Sequence, residues 1–342
     1  MMKKSGYLYF YDDNGEYSRI LHLSVLCASI IFEKVYLCVS SGYYNFFKSR
    51  LRLPENVKIS LVNTESLKSS LIQRLDSLYL SGTLRSNCPP VERHCINRWL
   101  HLDQHELFGE TSLFSFDWDT LIFRGLALYE PYLEDVDLAA TNLMTLGWVG
   151  APDEPIWSLC PNLLYFSKRS LKYYVTYLEK YIEYSEKYGS VVDKLFCDMQ
   201  PWSSVISTSL VGKSNLCMLN LNDLVSQGFP IVDHNVRVLK DCGIIFRDMH
   251  YYFQPGSPTY LDKPYLSAKQ IVFSDNEIPY FVVQQKQSLN KNNNAEIKPL
   301  ITEAAAIHFS GVEGKHLLQQ TFIDNLIRYL TYNIDRTYLT IL

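Results

Sequence analysis

Two aspartates interrupt an otherwise apolar stretch, SLFSFDWDTLIF at residues 112–123, and their spacing could bind a cation. The apolar residues on both sides predict one strand through Asp117 and Asp119, with both carboxylates on one face and Trp118 opposite. Carboxylates this close repel each other. Mg²⁺ or Mn²⁺ relieves that repulsion and can hold a diphosphate at the carboxyl end of a sheet strand. The alternative is that the strand ends here and both aspartates are solvated.

The elements around this stretch predict a mixed α/β fold. In the first hundred residues, strand patterns at 7–13, 35–41 and 57–63 alternate with helix patterns at 16–33, 43–52, 66–81 and 90–107. Such alternation with short connections indicates a mostly parallel, Rossmann-like central sheet with helices on both faces. Another strand is expected at 162–166, followed by an amphipathic helix. Past residue 215 the pattern changes to shorter strand-like pieces, and a helix is expected at 315–333.

Composition excludes some partners and compartments. The chain has 342 residues, of which 47% are hydrophobic, and a net charge of only -4, so no basic field favours a nucleic-acid partner. The longest apolar stretch, 21–32, is shorter than the ~18 residues of a membrane span. Eight cysteines without a CxxC pair predict free thiols in a reducing compartment. We expect a cytoplasmic protein without a transmembrane segment. The C-terminal tail is expected to pack on the core, and peripheral membrane contact by it stays open.

Four segments, taken in order, resemble a known family. SFDWDTLIF resembles the D-x-D segment of GT-A-fold, nucleotide-sugar-dependent glycosyltransferases. RSNCPPVERHCINRW (85–99) is similar to a segment that precedes the D-x-D in some bacterial polysaccharide-type members. NLLYFSKRSL (162–171) resembles their strand and helix beside the sugar, and AIHFSGVEGK (306–315) resembles the C-terminal His-x-x-Gly…Lys element of glycogenin-like members. The resemblance covers roughly residues 5–318 and implies a GT-A fold.

The resemblance also implies a set of donor-side residues. Asp117 and Asp119 would bind Mn²⁺ or Mg²⁺, with His308 as the third protein ligand; the alternative for His308 is an ordinary core histidine. Gly311 would allow close approach of the phosphates, and Lys315 would neutralise the leaving diphosphate. Three residues separate Gly311 from Lys315, where the family has two. The remaining donor-side candidates are Tyr11, Asp12, Ser86, Asn87, Arg98, Trp118 and Asn162.

Acceptor-side candidates follow from the same resemblance. Asp198, in LFCDMQPWSS (195–204), would act as a general base in an inverting enzyme, or a polar residue here would stabilise the transition state in a retaining one. Its alternative role is the N-cap of a helix that begins near Pro201. Asp233 and Asn235 could contact a sugar hydroxyl, or could form an Asx-type turn. Histidines beside Arg98 on the 90–107 helix are interpreted as a polar face.

The sequence therefore predicts a metal-dependent glycosyltransferase. It would move a sugar from a nucleoside diphosphate, with UDP expected, to a hydroxyl of a glycan, glycolipid or protein. Residues 1–215 would bind the nucleotide sugar, and 216–342 would form the acceptor side with the C-terminal motif, within one continuous GT-A domain. Two alternatives stay open: a phosphohydrolase of the haloacid dehalogenase type, whose nucleophile motif also begins D-x-D, and a catalytically inactive nucleotide-binding module.

Overall fold

The structure is a computed structural model. It describes residues 1–10, 19–50, 52–62, 70–84, 89–140, 144–145, 157–158, 161, 163–189, 196, 198–210, 212–221, 224, 227, 229–232, 236–239, 243–246, 265–273, 279–286, 297–308 and 320–339.

The described elements are sixteen strands, seven α-helices and three short 3₁₀ segments. The strands are β1 Met2–Phe10, β2 Phe32–Val39, β3 Val57–Leu61, β4 Ser112–Phe116, β5 Thr120–Ile122, β6 Leu138–Ala140, β7 Met144–Thr145, β8 Trp157–Ser158, β9 Leu163–Ser167, β10 Met218–Asn220, β11 Ile231–Val232, β12 Val236–Leu239, β13 Gly243–Phe246, β14 Tyr265–Phe273, β15 Pro279–Lys286 and β16 Ile297–His308. The helices are α1 Arg19–Ile31, α2 Ser41–Arg50, α3 Ser70–Leu80, α4 Pro89–Gln104, α5 Lys168–Tyr188, α6 Met199–Leu210 and α7 Gln320–Asn333, and the 3₁₀ segments are Glu106–Gly109, Arg124–Tyr132 and Arg336–Leu339.

A seven-stranded sheet forms the centre of the fold. Its order is β10-β6-β9-β4-β1-β2-β3. Strand β9 is antiparallel to both of its neighbours, and the other neighbouring pairs are parallel. The chain passes from β1 to β2 and β3 on one side, and then returns to β4 on the other. This makes the carboxyl ends of β1 and β4 a topological switch point, where open α/β sheets bind ligands.

Helices cover both faces of this sheet, so the predicted mixed α/β class with a mostly parallel central sheet is confirmed. Side chains alternate along β1 because successive residues of a strand point to opposite faces. Tyr7 and Tyr9 belong to the cluster that contains residues of α3, α4, α5 and α6. Leu8 and Phe10 belong to the cluster that contains residues of α1 and α2. The two layers thus pack against both faces of β1 and β4 next to the switch point.

A second sheet meets the central sheet immediately after β4. Its order is β11-β16-β15-β14, and β5 pairs with β16 in antiparallel orientation. The chain therefore changes sheets between Phe116 and Thr120. The predicted single strand through 112–123 is wrong for this reason: both flanks are apolar because each is buried, but they are buried in two different sheets.

Candidate active site

The two aspartates of the D-x-D lie in a tight turn at the carboxyl end of β4. The backbone N–H of Thr120 donates to the carbonyl of Asp117 at 3.0 Å, which closes the turn. Asp119 is only 4% exposed, and the side chain of Asp117 is 30% exposed. The alternative of two solvated aspartates is therefore half correct. The strand does end here, but the turn leaves Asp119 buried and Asp117 partly buried.

Neighbouring elements fix this turn from several directions. The hydroxyl of Ser24 on α1 donates to the carbonyl of Thr120 at 2.6 Å. The ring of Trp118 packs edge-on against Phe10, the last residue of β1, with 5.0 Å between centroids. In the β5–β16 pairing, His308 lies opposite Thr120. The backbone register thus brings His308 next to the D-x-D across almost two hundred residues of sequence; the structure does not describe its side chain.

Arg98 joins the turn to a third acid. Its Nη1 donates to Oδ1 of Asp117, and its Nη2 donates to Oδ2 of Asp198 at 3.1 Å. The indole Nε1 of Trp99 donates to the same Asp198 oxygen at 3.1 Å. Asp198 immediately precedes α6, in the position expected of an N-cap. Its described bonds show that its carboxylate also serves the network with Arg98, so the structure brings Arg98, Asp117 and Asp198 together.

The charges of this cluster influence one another strongly. Burial opposes the positive charge of Arg98, but the carboxylates of Asp117 and Asp198 outweigh it and raise the pKa of the guanidinium. Burial raises the pKa of Asp198 above its usual range, and the bonds from Arg98 and Trp99 reduce that effect. Among the described residues, three carboxylates, counting Asp119, surround one guanidinium, so these four side chains together carry an excess of negative charge.

One expectation for α4 needs correction. The predicted polar face is wrong for Arg98 and His101, which are both buried, whereas His105 is exposed. His101 lies against the central sheet, with its Nδ1 3.1 Å from the hydroxyl of Tyr7. Trp99 was not among the predicted site residues, so its role as a donor to Asp198 was missed. The available signal was that a buried indole N–H usually finds an acceptor.

Several predicted site residues fall outside the described residues. These are Tyr11, Asp12, Ser86, Asn87, Asn162, Asp233, Asn235, Gly311 and Lys315. The segments that hold Tyr11 and Asp12 follow β1, whose end is at the switch point. For these nine residues the sequence-based roles stay predictions.

The carboxylates of the turn are suitable ligands for a hard divalent cation. Carboxylate oxygens are the ligands that Mg²⁺ and Mn²⁺ prefer, and the excess negative charge beside Asp119 would be compensated by a dication. Among the described side chains, no group of three or more His, Cys, Asp or Glu residues is placed to hold a metal ion. A complete site therefore needs a ligand beyond Asp117 and Asp119.

Comparisons with known proteins give structural similarities only. No family model and no curated protein matches the sequence. Among solved structures, mouse xyloside xylosyltransferase 1 in its apo form is 11% identical, with a TM-score of 0.41, over 63% of this chain and 83% of that one. The glycosyltransferase GlyE of Streptococcus pneumoniae TIGR4 is 12% identical, with a TM-score of 0.37, over 66% of this chain and 47% of that one.

A further similar structure is the PaToxG glycosyltransferase, which is 10% identical, with a TM-score of 0.36, over 66% of this chain and 75% of that one. Because these identities and TM-scores are low, we infer neither family nor activity from them. In the part of the chain that the structure describes, no helix combines the length and apolar character needed to span a membrane.

Proposed function

We propose that this protein is a cation-dependent glycosyltransferase that moves a sugar from a nucleoside diphosphate, with UDP expected, to a hydroxyl of an acceptor. The observation that supports this most is the turn after β4. Two aspartates one residue apart lie at a switch point, one of them buried, and the strand pairing places the backbone of His308 opposite the next residue, Thr120. Open α/β sheets bind their ligands at this place.

The donor's diphosphate would lie at the turn. Asp117, Asp119 and His308 would hold Mn²⁺ or Mg²⁺, which when bound stabilises negative charge on the departing nucleoside diphosphate. Gly311 and Lys315 follow β16 by a few residues in the sequence, so they are proposed to complete the diphosphate site. The nucleotide would extend toward the end of β1, where Trp118 and Phe10 pack together and Tyr11 follows.

The acceptor hydroxyl would approach Asp198. One oxygen of its carboxylate accepts bonds from Arg98 and Trp99, and no described residue donates to the other oxygen, Oδ1. That oxygen is therefore proposed to act on the substrates, either as the base for the acceptor hydroxyl or as a negative group beside the anomeric carbon. Residues 1–215 would bind the nucleotide sugar, and 216–342 would form the acceptor-side part and also contribute the C-terminal motif with His308, Gly311 and Lys315 to the cation and diphosphate site.

A turnover assay with one substitution tests the proposal. The purified protein is given a panel of UDP-sugars with Mn²⁺, and released UDP is measured with and without EDTA. We expect UDP release that EDTA abolishes and that Asp119→Asn reduces by about 100-fold or more, a loss typical of removing a transition-state charge stabiliser. Because asparagine has nearly the same size and shape as aspartate, Asp119→Asn should remain folded, and its melting curve without Mn²⁺ checks this.

The same preparation separates the alternatives. Cleavage of p-nitrophenyl phosphate without UDP release would support a phosphohydrolase. Binding of UDP without any turnover would support an inactive nucleotide-binding module. Full UDP release by Asp119→Asn would exclude the cation site proposed here. Arg93→Gln, a change on the exposed side of α4, is the control for nonspecific damage.

A further inference from the structure

Arg98 is a buried cation between two acids that come from separate parts of the fold. Its side chain is 5% exposed, and that of Asp198 is 6% exposed. Asp117 belongs to the turn after β4, whereas Asp198 lies at the start of α6, and Arg98 reaches both from α4. One side chain thus spans the proposed cation site and the proposed acceptor site.

The chemistry of the guanidinium suits this arrangement. It is planar, and its donors point in fixed directions, so two carboxylates bound to its two terminal nitrogens are held at a fixed separation and orientation. Trp99, the next residue on α4, donates to the same oxygen of Asp198 as Arg98 does. Two successive residues of one helix therefore fix Asp198, and one of them also fixes Asp117.

This geometry differs from the donor contact that the sequence suggested for Arg98. Its two terminal nitrogens are each bonded to a carboxylate of the protein. Its Nε is buried and has no hydrogen-bond partner in the described part of the chain, so this side of the guanidinium is enclosed. Both terminal nitrogens thus already donate to acids of the protein, and a phosphate could reach only their remaining N–H groups on a side chain that is 5% exposed.

We propose that Arg98 is a positioning residue that couples the cation site at Asp117 to the placement of Asp198. The inference rests on the proposed function. Asp198 holds one end of the guanidinium, and this limits how strongly Arg98 pairs with Asp117. When that hold is weakened, Arg98 pairs more fully with Asp117 and competes with the cation for it. A change at Asp198 then alters the affinity of the Asp117 site for the cation, although Asp198 is not itself a cation ligand.

A double-mutant cycle on binding of Mn²⁺ alone tests the coupling. Free Mn²⁺ is measured by electron paramagnetic resonance for the wild type, Asp198→Asn, Arg98→Gln and the double variant. We expect Asp198→Asn to weaken Mn²⁺ binding by about fivefold, at the low end of usual coupling between sites. In the Arg98→Gln background the same change should alter binding by less than about twofold. Arg93→Gln, on the same helix, should bind Mn²⁺ like the wild type.

The competing explanation is a direct electrostatic attraction between the carboxylate of Asp198 and the bound Mn²⁺ that does not involve Arg98. In that case Asp198→Asn weakens Mn²⁺ binding equally in both backgrounds, and this result would overturn the coupling through Arg98. No effect of Asp198→Asn in the wild-type background would also overturn it. If the wild type binds Mn²⁺ no better than Asp119→Asn does, the cation site itself fails, and with it both proposals. The two kinds of failure are thus distinguishable.

Kinetics and a conservative variant guard against misfolding. If Arg98→Gln is not folded by circular dichroism, Arg98→Lys replaces it, because lysine keeps the charge but cannot bridge two carboxylates in fixed geometry. The expectation for the cycle is unchanged. For a positioning residue, Arg98→Lys should lower kcat by about tenfold or more, with a donor KM within about threefold of the wild type. A rise in donor KM at unchanged kcat would instead identify Arg98 as a donor ligand and overturn the proposal.

Discussion

At the scale of single residues, α4 carries two buried ionisable side chains, Arg98 and His101, and each has a polar partner. Arg98 bonds to Asp117 and Asp198, and His101 lies 3.1 Å from the hydroxyl of Tyr7. The two cases differ in charge. Arg98 keeps its charge because two acids compensate it, whereas no described acid contacts His101, so burial favours its neutral form. The same helix therefore carries a charged residue, Arg98, and a neutral one, His101, in buried positions.

The neutral state of His101 makes stability depend on pH. Burial, with a smaller contribution from His105, lowers the pKa of His101 to about 3, while in the unfolded chain the value is about 6.5. Below that value the unfolded state binds a proton that the native state does not. The stabilisation is thus complete above about pH 6.5 and falls with acidification, by about 2 kcal/mol between pH 7 and pH 5. Urea unfolding at both pH values measures it.

His101→Gln is the informative variant for this prediction, since an amide can still bond to Tyr7 but does not titrate. Its loss of unfolding free energy between pH 7 and pH 5 should be smaller than that of the wild type by about 2 kcal/mol. His105→Gln, at an exposed position of the same region, should retain nearly the whole wild-type loss. Equal losses in the wild type and His101→Gln would contradict the assignment. His22, whose pKa burial lowers to about 4, contributes in the same direction to both proteins.

Among the elements, β1 contains a glycine whose backbone is closely packed by two aromatic rings. A Cβ on Gly6 would lie 2.6 Å from Cδ2 of Phe32 and 3.0 Å from Cε1 of Phe116. Both rings are fully buried, so neither can move freely. Gly6→Ala should therefore destabilise the protein by about 1–3 kcal/mol, the usual cost of overpacking a core, measured by chemical denaturation.

The effect of Gly6→Ala should reach the proposed site. Phe116 immediately precedes Asp117, so a displaced ring disturbs the turn, and Mn²⁺ binding should weaken together with stability. Gly42→Ala provides the matched control. Gly42 is exposed on α2, where alanine is the better helix former, and stability should stay equal or rise slightly. An unchanged unfolding free energy in Gly6→Ala would show that the two rings can accommodate a methyl group.

The elements also show what the sequence could predict. Strand and helix patterns of the first hundred residues match β1–β3 and α1–α4 within a few residues, because amphipathic periodicity depends only on neighbours in the chain. The turn at Asp117 was not predicted, since Phe116 and Leu121 look alike in sequence but lie in different sheets. The antiparallel direction of β9 has no local signal either. Three successive non-glycine residues with positive φ, Glu106, Leu107 and Phe108, precede Gly109 in an unusual connection to β4, and the single glycine gives no sign of them.

The candidate site also combines residues that the sequence could predict with contacts that it could not. Asp117 and Asp119 were recognisable because two acids in an apolar stretch are costly unless something compensates them. The bonds from Arg98 to Asp117 and Asp198 were not, because pairs separated by 19 and 100 positions leave no trace in a single sequence. A position of His308 close to the D-x-D was expected only from the family resemblance. Its cause is the β5–β16 register, which depends on the whole fold.

For the molecule as a whole, the turn after β4 is the point where two sheets and α1 meet. Strand β4 belongs to the central sheet, β5 pairs with β16 of the second sheet, and Ser24 of α1 bonds to Thr120. A ligand held by Asp117, Asp119 and His308 would therefore connect elements from both ends of the chain. Such a ligand stabilises the native state because the unfolded chain has no such site.

This connection predicts a global stabilisation by Mn²⁺ and UDP together. At a ligand concentration about 100 times the dissociation constant, the gain is about 2.7 kcal/mol, which for a chain of this length corresponds to about 4 °C in melting temperature. Differential scanning fluorimetry measures the shift with each ligand alone and with both. Asp119→Asn and His308→Ala should each lose most of the shift, because each removes a proposed cation ligand, while Arg93→Gln should keep it. If Asp119→Asn keeps the full shift in melting temperature, Asp119 contributes nothing to binding. Mn²⁺ and UDP would then bind away from the turn.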